Sequence, residues 1–184
     1  MKSRNTLAFA VAMFLGFSAL NAHAQKDPMV GGAAMYPTKN IVENAVNSKD
    51  NTTLVAAVKA AGLVDTLESP GPFTVFAPTN EAFDKLPTGT VDTLLKPENL
   101  DQLKKILTYH VVAGKLTAKD IDKKIKEGNG KATLTTVEGG TLTAMMEGDK
   151  LVLTDEKGGT ATVTISNVYQ SNGMIHVIDT VLMP

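Results

Sequence analysis

The sequence contains no cysteine, and this absence excludes disulfide bonds, lipoprotein attachment through a cysteine and any cysteine nucleophile. A domain outside the cell that lacks disulfides has to be stabilised by its hydrophobic core. If the first 24 residues are removed, 160 residues remain, which is enough for one domain with a sizeable core. The composition therefore favours a single domain that is held together by apolar packing.

Strong charge of either sign is also absent, because 18 basic residues stand against 19 acidic ones and the formal net charge is −1. A nucleic-acid-binding protein would need a basic stripe or patch. The nearest feature is Lys123-Lys124-Ile125-Lys126, which Glu127 follows, and a solvated helix end or loop explains it better. The sequence therefore predicts no nucleic-acid partner and leaves open a weak contact with an anionic polymer.

The apolar run at the start of the chain is too short to span a membrane comfortably. Residues 7–20 form an apolar run of 14 residues, whereas a transmembrane helix needs about 20. Two basic residues precede the run, and the small residues Ala22 and Ala24 follow it, which is the order of a secretory signal peptide. We therefore predict a signal peptide over residues 1–24, a secreted or periplasmic product and no stable membrane insertion. A retained membrane anchor is the alternative.

Cleavage after Ala24 is the first testable prediction. We expect the exported protein to begin at Gln25 and to carry a net charge of −3, because the signal peptide removes Lys2 and Arg4 but no acidic residue. Intact-mass measurement of the secreted material decides this. A mass that retains residues 1–24 would contradict the prediction and favour a membrane-anchored protein.

The chain after this site divides into a helical half and a strand half. Residues 25–36 are small and polar and predict a flexible lead-in, so one domain is expected over residues 37–184. Short helices with polar N-caps are expected in the first half. The predicted N-caps are Asn40, Thr52 or Thr53, Thr79, Thr90 and Thr117.

After Lys131 the apolar residues alternate with polar ones, which is typical of strands. Glycine-containing turns separate the alternating runs and favour hairpins. Because helices gather in the first half and strands in the second, the pattern predicts an α+β fold with a meandering antiparallel sheet. The predicted strands are 134–137, 141–146, 151–154, 161–169 and 174–182.

Two segments carry a resemblance to a known family. The first, Phe73-Thr-Val-Phe-Ala-Pro-Thr-Asn-Glu-Ala-Phe83, predicts a buried strand that ends at its proline and leads directly into a capped helix. The second, Asn172-Gly-Met-Ile-His-Val-Ile-Asp179, predicts a tight turn followed by a last apolar strand. With Tyr109-His110 between them, these segments resemble the signature of the fasciclin-like domain family, and the resemblance covers about residues 36–184.

The resemblance implies a wedge-shaped β-sandwich flanked by helices from the N-terminal half, and one copy of the domain. The family consists mostly of extracellular and cell-surface modules known for adhesion and binding, so the resemblance also implies that Tyr109 and His110 are candidate partner-binding residues. The alternative is a half-buried histidine that anchors a loop backbone, with the tyrosine ring in the core. This alternative is favoured, because buried imidazoles usually serve hydrogen bonding. His176 is expected in the core or at an edge of the sandwich for the same reason.

Two further patterns limit what the resemblance implies. Animal adhesion relatives have an Asp-Ile pair shortly before the Asn-Gly turn, whereas this chain has Asn167-Val168, so integrin binding is not carried over. Asn51-Thr52-Thr53 matches a glycosylation acceptor, but it is interpreted as the start of a helix.

A catalytic constellation is missing from the sequence. There is no Gly-x-Ser-x-Gly, no His-Glu-x-x-His and no phosphate-binding glycine loop. After the predicted cleavage the chain keeps only His110 and His176 among its histidines, which is thin for a metal site, although a mixed histidine and carboxylate site stays open. Asp155-Glu156 is predicted as a solvated turn. We therefore expect no enzymatic activity, no cofactor and no metal.

Two functional hypotheses remain. The first is a secreted, non-enzymatic adhesion or interaction module that binds a cell-surface or matrix protein or a polysaccharide at the cell envelope. Its candidate contacts are the loops around Tyr109-His110 and the hairpin tips. The second is an extracytoplasmic carrier or sensor for a small apolar ligand held between the helices and the sheet. A preformed apolar pocket of about 300–1,000 Å³ would favour the carrier, and a filled core would favour the module.

Overall fold

The computed structural model describes residues 27–184, and the predicted signal peptide lies outside this range. The helices are α1 Ile41–Ala45, α2 Thr52–Ala60, α3 Val64–Glu68, α4 Asn80–Asp84, α5 Thr90–Leu94, α6 Leu100–Tyr109 and α7 Ala118–Glu127. The strands are β1 Met29–Val30, β2 Ala33–Ala34, β3 Phe73–Pro78, β4 Val111–Ala113, β5 Ala132–Thr135, β6 Thr141–Glu147, β7 Lys150–Thr154, β8 Thr160–Gln170 and β9 Gly173–Ile178.

The seven longer strands form one sheet in the order β4-β3-β9-β8-β7-β6-β5. Neighbouring strands pair antiparallel, except β3 and β9, which run parallel. A bridge between Val112 and Thr136, together with a 2.7 Å hydrogen bond from Val137 N to Val111 O, brings the two edges of the sheet together. The predicted meander is therefore present as β5–β9, and β3 and β4 extend it into a nearly closed sheet.

Alternation along β3 separates two apolar cores. Val75 and Ala77 pack into a core beneath α1–α6, whereas Phe76 packs into a second core on the opposite side of the strand. Ile121 and Ile125 of α7 belong to the second core, around which the sheet folds. A helical layer and two strand layers result, which confirms the predicted α+β sandwich with helices from the N-terminal half.

Helix starts were predicted correctly wherever a side chain accepts a hydrogen bond from the first turn. Asn40 Oδ1 accepts from Glu43 N at 2.8 Å, and Thr117 Oγ1 accepts from Asp120 N at 3.1 Å. In both helices the acidic side chain in turn accepts from the N-cap backbone, so both capping boxes are complete. Thr79 caps α4 in the same way, without the reciprocal bond.

The caps predicted for α2 and α5 are wrong. Thr52 and Thr90 are the first residues of these helices, and Asn51 occupies the cap position of α2 without a side-chain capping bond. Asn51 Nδ2 instead donates to Pro78 O at 2.9 Å, and the residue is buried. This bond ties α2 to the end of β3, and it makes the amide of the glycosylation pattern inaccessible.

The structure describes residues 27–36 of the flexible lead-in that was predicted over residues 25–36, and these residues pack against the domain. β1 and β2 form a short hairpin, and the side chains of Val30 and Met35 are buried in the core beneath the helices. Two well-spaced apolar side chains were enough to dock this segment, although its composition is small and polar. The domain limit at residue 37 itself stays a prediction.

The Asn-Gly turn before β9 fastens three segments together. Asn172 Oδ1 accepts from Ile41 N at 3.1 Å, while its Nδ2 donates to Leu67 O at 2.7 Å and Ser69 O at 3.0 Å. A Cβ atom on Gly173 would lie 2.2 Å from the carbonyl oxygen of Phe73, so only glycine lets β9 approach β3 this closely. The signature segment therefore has a structural role: it connects β9 with the start of α1, with the end of α3 and with β3.

Candidate functional site

Tyr109 and His110, the candidate contact residues, lie at the end of α6 between the two cores, and both are buried. Tyr109 Oη donates to Thr141 O at 2.7 Å and accepts from Glu156 N at 3.2 Å. The tyrosine therefore joins α6 to the start of β6 and to the turn after β7. Its pKa is raised, first of all by burial.

His110 uses both ring nitrogens inside the protein. Nε2 accepts from Leu182 N at 3.0 Å, which places the proton on Nδ1, and Nδ1 donates to Ile106 O at 2.8 Å. Burial lowers the pKa of His110 to about 4, although the Ile106 carbonyl and the Asp155 charge act in the opposite direction. The ring is therefore neutral at pH 7. It anchors the C-terminal segment, as the favoured interpretation expected, and it is more deeply buried than that interpretation assumed.

His176 lies in β9 and is also buried. Its ring stacks on Phe76 with 5.6 Å between centroids, and Nε2 donates to Leu116 O at 2.8 Å. Burial lowers its pKa as well. The expected core position is therefore correct, and the ring bonds the loop that leads into α7.

The prediction of a solvated turn at Asp155-Glu156 is wrong for Asp155. This residue is 8% exposed. Oδ1 accepts from Lys157 N at 3.0 Å and Gly159 N at 2.7 Å, and Oδ2 accepts from Met183 N at 2.9 Å. A carboxylate that receives three backbone donors organises the β7–β8 turn and holds the chain end.

Asn167 and Val168, which stand in the place of the Asp-Ile pair, also have structural roles. Asn167 adopts φ 59°, within an irregular stretch of β8, and its Oδ1 accepts from Ala118 N at 2.8 Å. Val168 is fully buried. This pair therefore supports the start of α7 and the core.

One surface of the sheet lies on β5–β8, on the side opposite the second core, and among the described residues it is exposed at Thr133, Thr135 and Thr160 and partly exposed at Thr143 and Thr154. Pairing registers align Thr133 with Thr143, Thr143 with Thr154, and Thr154 with Thr160, so one row of threonines crosses four strands. The inward-facing row beside it consists of the buried residues Ala132, Ala144, Leu153 and Ala161. We call the outward surface the threonine face; its residues are Thr133, Thr135, Thr141, Thr143, Thr154, Thr160 and Thr162.

Hydroxyl groups dominate the threonine face. Met145 and Val152 lie beside the row, in register with Thr162. Charged residues stand at its margin, where Glu147 pairs with Lys150 in the β6–β7 register. Since adjacent strands lie about 4.8 Å apart, the face presents closely spaced hydroxyl groups. Its electrostatic field is weak, because the charged residues stand at its margin.

Sequence analysis missed this surface, although a signal was present. The threonines recur at every second residue in three separate strands, as Thr133-Leu-Thr, Thr141-Leu-Thr and Thr160-Ala-Thr-Val-Thr. Such alternation places the hydroxyls of one strand on one face. It does not align the strands with one another, because the pairing registers depend on the turns.

An apolar cavity lies between the helices and the sheet, where the carrier hypothesis placed its ligand. Its volume is about 70 Å³, and Val58, Leu67, Val75 and Ile175 are among its lining residues. Carrier pockets measure about 300–1,000 Å³. The cavity is therefore too small to enclose a whole drug-sized ligand, which favours the interaction module over a carrier that encloses its ligand.

Residues 27–184 contain neither a metal-binding cluster nor a membrane-spanning helix. No group of three or more histidine, cysteine, aspartate or glutamate side chains is placed to hold a metal ion in this part of the chain. Across the same residues, no helix has both the length and the apolar character to cross a bilayer.

Comparisons with known proteins agree with the fold. A sequence model of the Fasciclin domain matches residues 49–184. Protein sll1483 of Synechocystis sp. is 47% identical over 160 residues, covering 87% of this chain and 82% of that protein. The immunogenic protein MPB70 of Mycobacterium bovis is 36% identical over 208 aligned residues, covering 100% of this chain and 99% of that protein.

The similarity extends to proteins of the cell surface. The cell surface glycolipoprotein MPB83 of Mycobacterium bovis is 36% identical over 159 residues, covering 86% of this chain and 61% of that protein. A solved FAS1 domain pair from the insect cell adhesion molecule Fasciclin I superposes with a TM-score of 0.54 at 28% identity, covering 72% of this chain and 45% of that one. The chain therefore belongs to the fasciclin-domain family.

Proposed function

We propose that this protein is a non-enzymatic interaction module that works outside the cytoplasm and binds a polysaccharide of the cell envelope through its threonine face. The observation that carries the proposal is the uncovered row of threonines across β5–β8. The cell-surface and adhesion proteins among the relatives support the extracellular setting.

The chemistry of the threonine face favours a neutral, hydroxyl-rich polymer. A threonine hydroxyl can donate one hydrogen bond and accept others, and the partly exposed side chain of Met145 supplies a small apolar contact beside the row. A sheet twists by roughly 20–25° per strand, so the rows turn across the surface. A flexible sugar chain can follow such a twist, whereas a flat rigid surface cannot.

We propose an indirect role for Tyr109 and His110. Both are buried, and the tyrosine holds the backbone of Thr141 at the edge of the threonine face. Their effect on a partner would therefore pass through the position of β6 and of the turn after β7. This role differs from the direct contact that the family resemblance implied.

Replacing two central threonines is expected to weaken polysaccharide binding without unfolding the domain. In the double variant Thr143→Val and Thr154→Val, the side-chain shape and β-propensity are kept while two hydroxyls are lost. At about 0.5–1.5 kcal/mol per hydrogen bond, retention on envelope polysaccharide should weaken roughly 5- to 150-fold. Binding isotherms on the isolated polysaccharide measure the change.

The matched control carries the same exchange on the helical side of the molecule. Thr88 and Thr93 are exposed there, so the variant Thr88→Val and Thr93→Val should bind as the wild type does. Equal loss in both double variants would defeat the assignment to the threonine face. If the domain binds an envelope protein and does not bind the polysaccharide, the proposed partner class is wrong and the partner is a protein.

A further inference from the structure

The proposed function does not involve the apolar cavity beneath the helices. It is bounded by β3 and β9 on one side and by α1–α3 on the other, and its volume is about 70 Å³. A water-sized sphere occupies about 10–15 Å³ by this measure, so the cavity has room for roughly five to seven such spheres. That space suits a short stretch of a single alkyl chain and is too small for a ring system or a two-chain lipid.

The buried polar groups in the cavity wall are already paired within the protein. Ser48 Oγ donates to Asn51 Oδ1 at 2.9 Å, and Asn51 Nδ2 donates to Pro78 O at 2.9 Å. His110 has its two ring nitrogens bonded to Ile106 and Leu182. The wall therefore presents almost pure hydrocarbon, and an apolar cavity of this kind stays free of water and takes apolar guests.

One charged side chain, Lys59 in the last turn of α2, completes the lining. It is exposed, and it forms no ion pair within residues 27–184. Val55, Leu63 and Val64, which also line the cavity, are partly exposed, so the cavity reaches the surface near this lysine, as it also does at the exposed Val137. Among residues 27–184, no acidic side chain lines the cavity. The combination is a hydrocarbon slot with a single free cation at its entrance.

We propose that this cavity holds the alkyl chain of a single-chain anionic amphiphile, whose head group pairs with Lys59. The inference is independent of the threonine face, because the cavity lies against β3 and β9 whereas the threonine face lies on β5–β8. The inner end of the chain lies in the cavity, while the head group stays in solvent at the mouth. A free fatty acid and an anionic lipid of a membrane share this chemistry, and the experiment separates these two sources.

The test uses the exported protein and three probes with the same ten-carbon chain: decanoate, 1-decanol and decyltrimethylammonium. Titration calorimetry should show one decanoate per chain, with decanol weaker and the cation weakest. Lys59→Gln should weaken decanoate roughly two- to five-fold, since an exposed ion pair contributes up to about 1 kcal/mol, and should leave decanol unchanged. The matched control is Lys119→Gln on α7, which should bind decanoate as the wild type does.

A second variant tests the cavity itself. Ala45 of α1 lines it and is partly exposed, so Ala45→Met should fill part of the space and weaken decanoate and decanol together. Co-sedimentation with phosphatidylglycerol vesicles, competed by decanoate, would assign a membrane lipid. Decanoate binding without vesicle binding would assign a free fatty acid. The proposal is overturned if decanoate does not bind below its micellar concentration, binds at many sites, or binds Lys59→Gln and the wild type equally.

Discussion

Replacing His110 with alanine is expected to lower the free energy of unfolding by about 2–6 kcal/mol, because two buried backbone groups lose their partner at about 1–3 kcal/mol each. The N–H of Leu182 and the carbonyl of Ile106 bond to the two nitrogens of this ring. Leu182 is fully buried in the second core, so a water molecule cannot bond its N–H in place of the ring without disturbing the packing. Chemical unfolding in urea measures the loss.

The variant His110→Gln serves as the comparison for this experiment. A glutamine amide can accept from Leu182 N or donate to Ile106 O, so its loss of stability should be smaller than that of alanine. Retention on polysaccharide should be kept by the fraction of either variant that is folded. An unchanged melting temperature together with lost retention would contradict the anchoring role and make His110 a contact residue.

Acidification from pH 6.5 to pH 4 is expected to lower the free energy of unfolding by about 3 kcal/mol. Burial lowers the pKa of His110 from 6.5 to about 4, and each pKa unit corresponds to about 1.4 kcal/mol. Between these pH values the His110 ring is protonated in the unfolded chain but stays neutral in the folded protein. The free energy of unfolding therefore falls as the pH falls. The contribution is fully present above pH 6.5 and is lost at about pH 4. His176, whose pKa burial also lowers, acts in the same direction.

Urea unfolding at several pH values between 7 and 4 measures this dependence. His110→Gln cannot titrate at that position, so its unfolding free energy should fall much less over the same range. A wild-type profile that stays flat between pH 6.5 and 4 would show that the ring is solvated or already charged. A profile with the same slope in the glutamine variant would assign the effect to other groups.

The features that were predicted correctly depend on residues close together in the chain. Strand alternation alone places Val75 and Phe76 of β3 in different cores. The capping boxes at Asn40 and Thr117 form because each needs only residues within one turn. The glycine turns that separate β5 to β9 likewise bring neighbouring strands together. These features explain why the α+β class and the antiparallel meander of β5–β9 could be predicted from the sequence, whereas the parallel pairing of β3 with β9 was not.

Long-range contacts account for what the sequence analysis missed. Asp155 is adjacent to solvated residues in the chain, and it is buried because Met183 folds back onto its carboxylate. Asn51 does not cap α2 because its amide bonds to Pro78, 27 residues later. The threonine face depends on three successive pairing registers, each of which a one-residue slip would destroy. None of these partners is specified by neighbouring residues.

The measurement that tests the central claim most directly is the retention of the exported wild-type protein on isolated envelope polysaccharide, as a function of protein and salt concentration. The account predicts saturable binding that survives moderate salt, since the threonine face is uncharged and little of its binding would depend on screened charges. A single copy of the domain should give one-site affinity. Absence of saturable retention on the polysaccharide at any salt concentration would contradict the account.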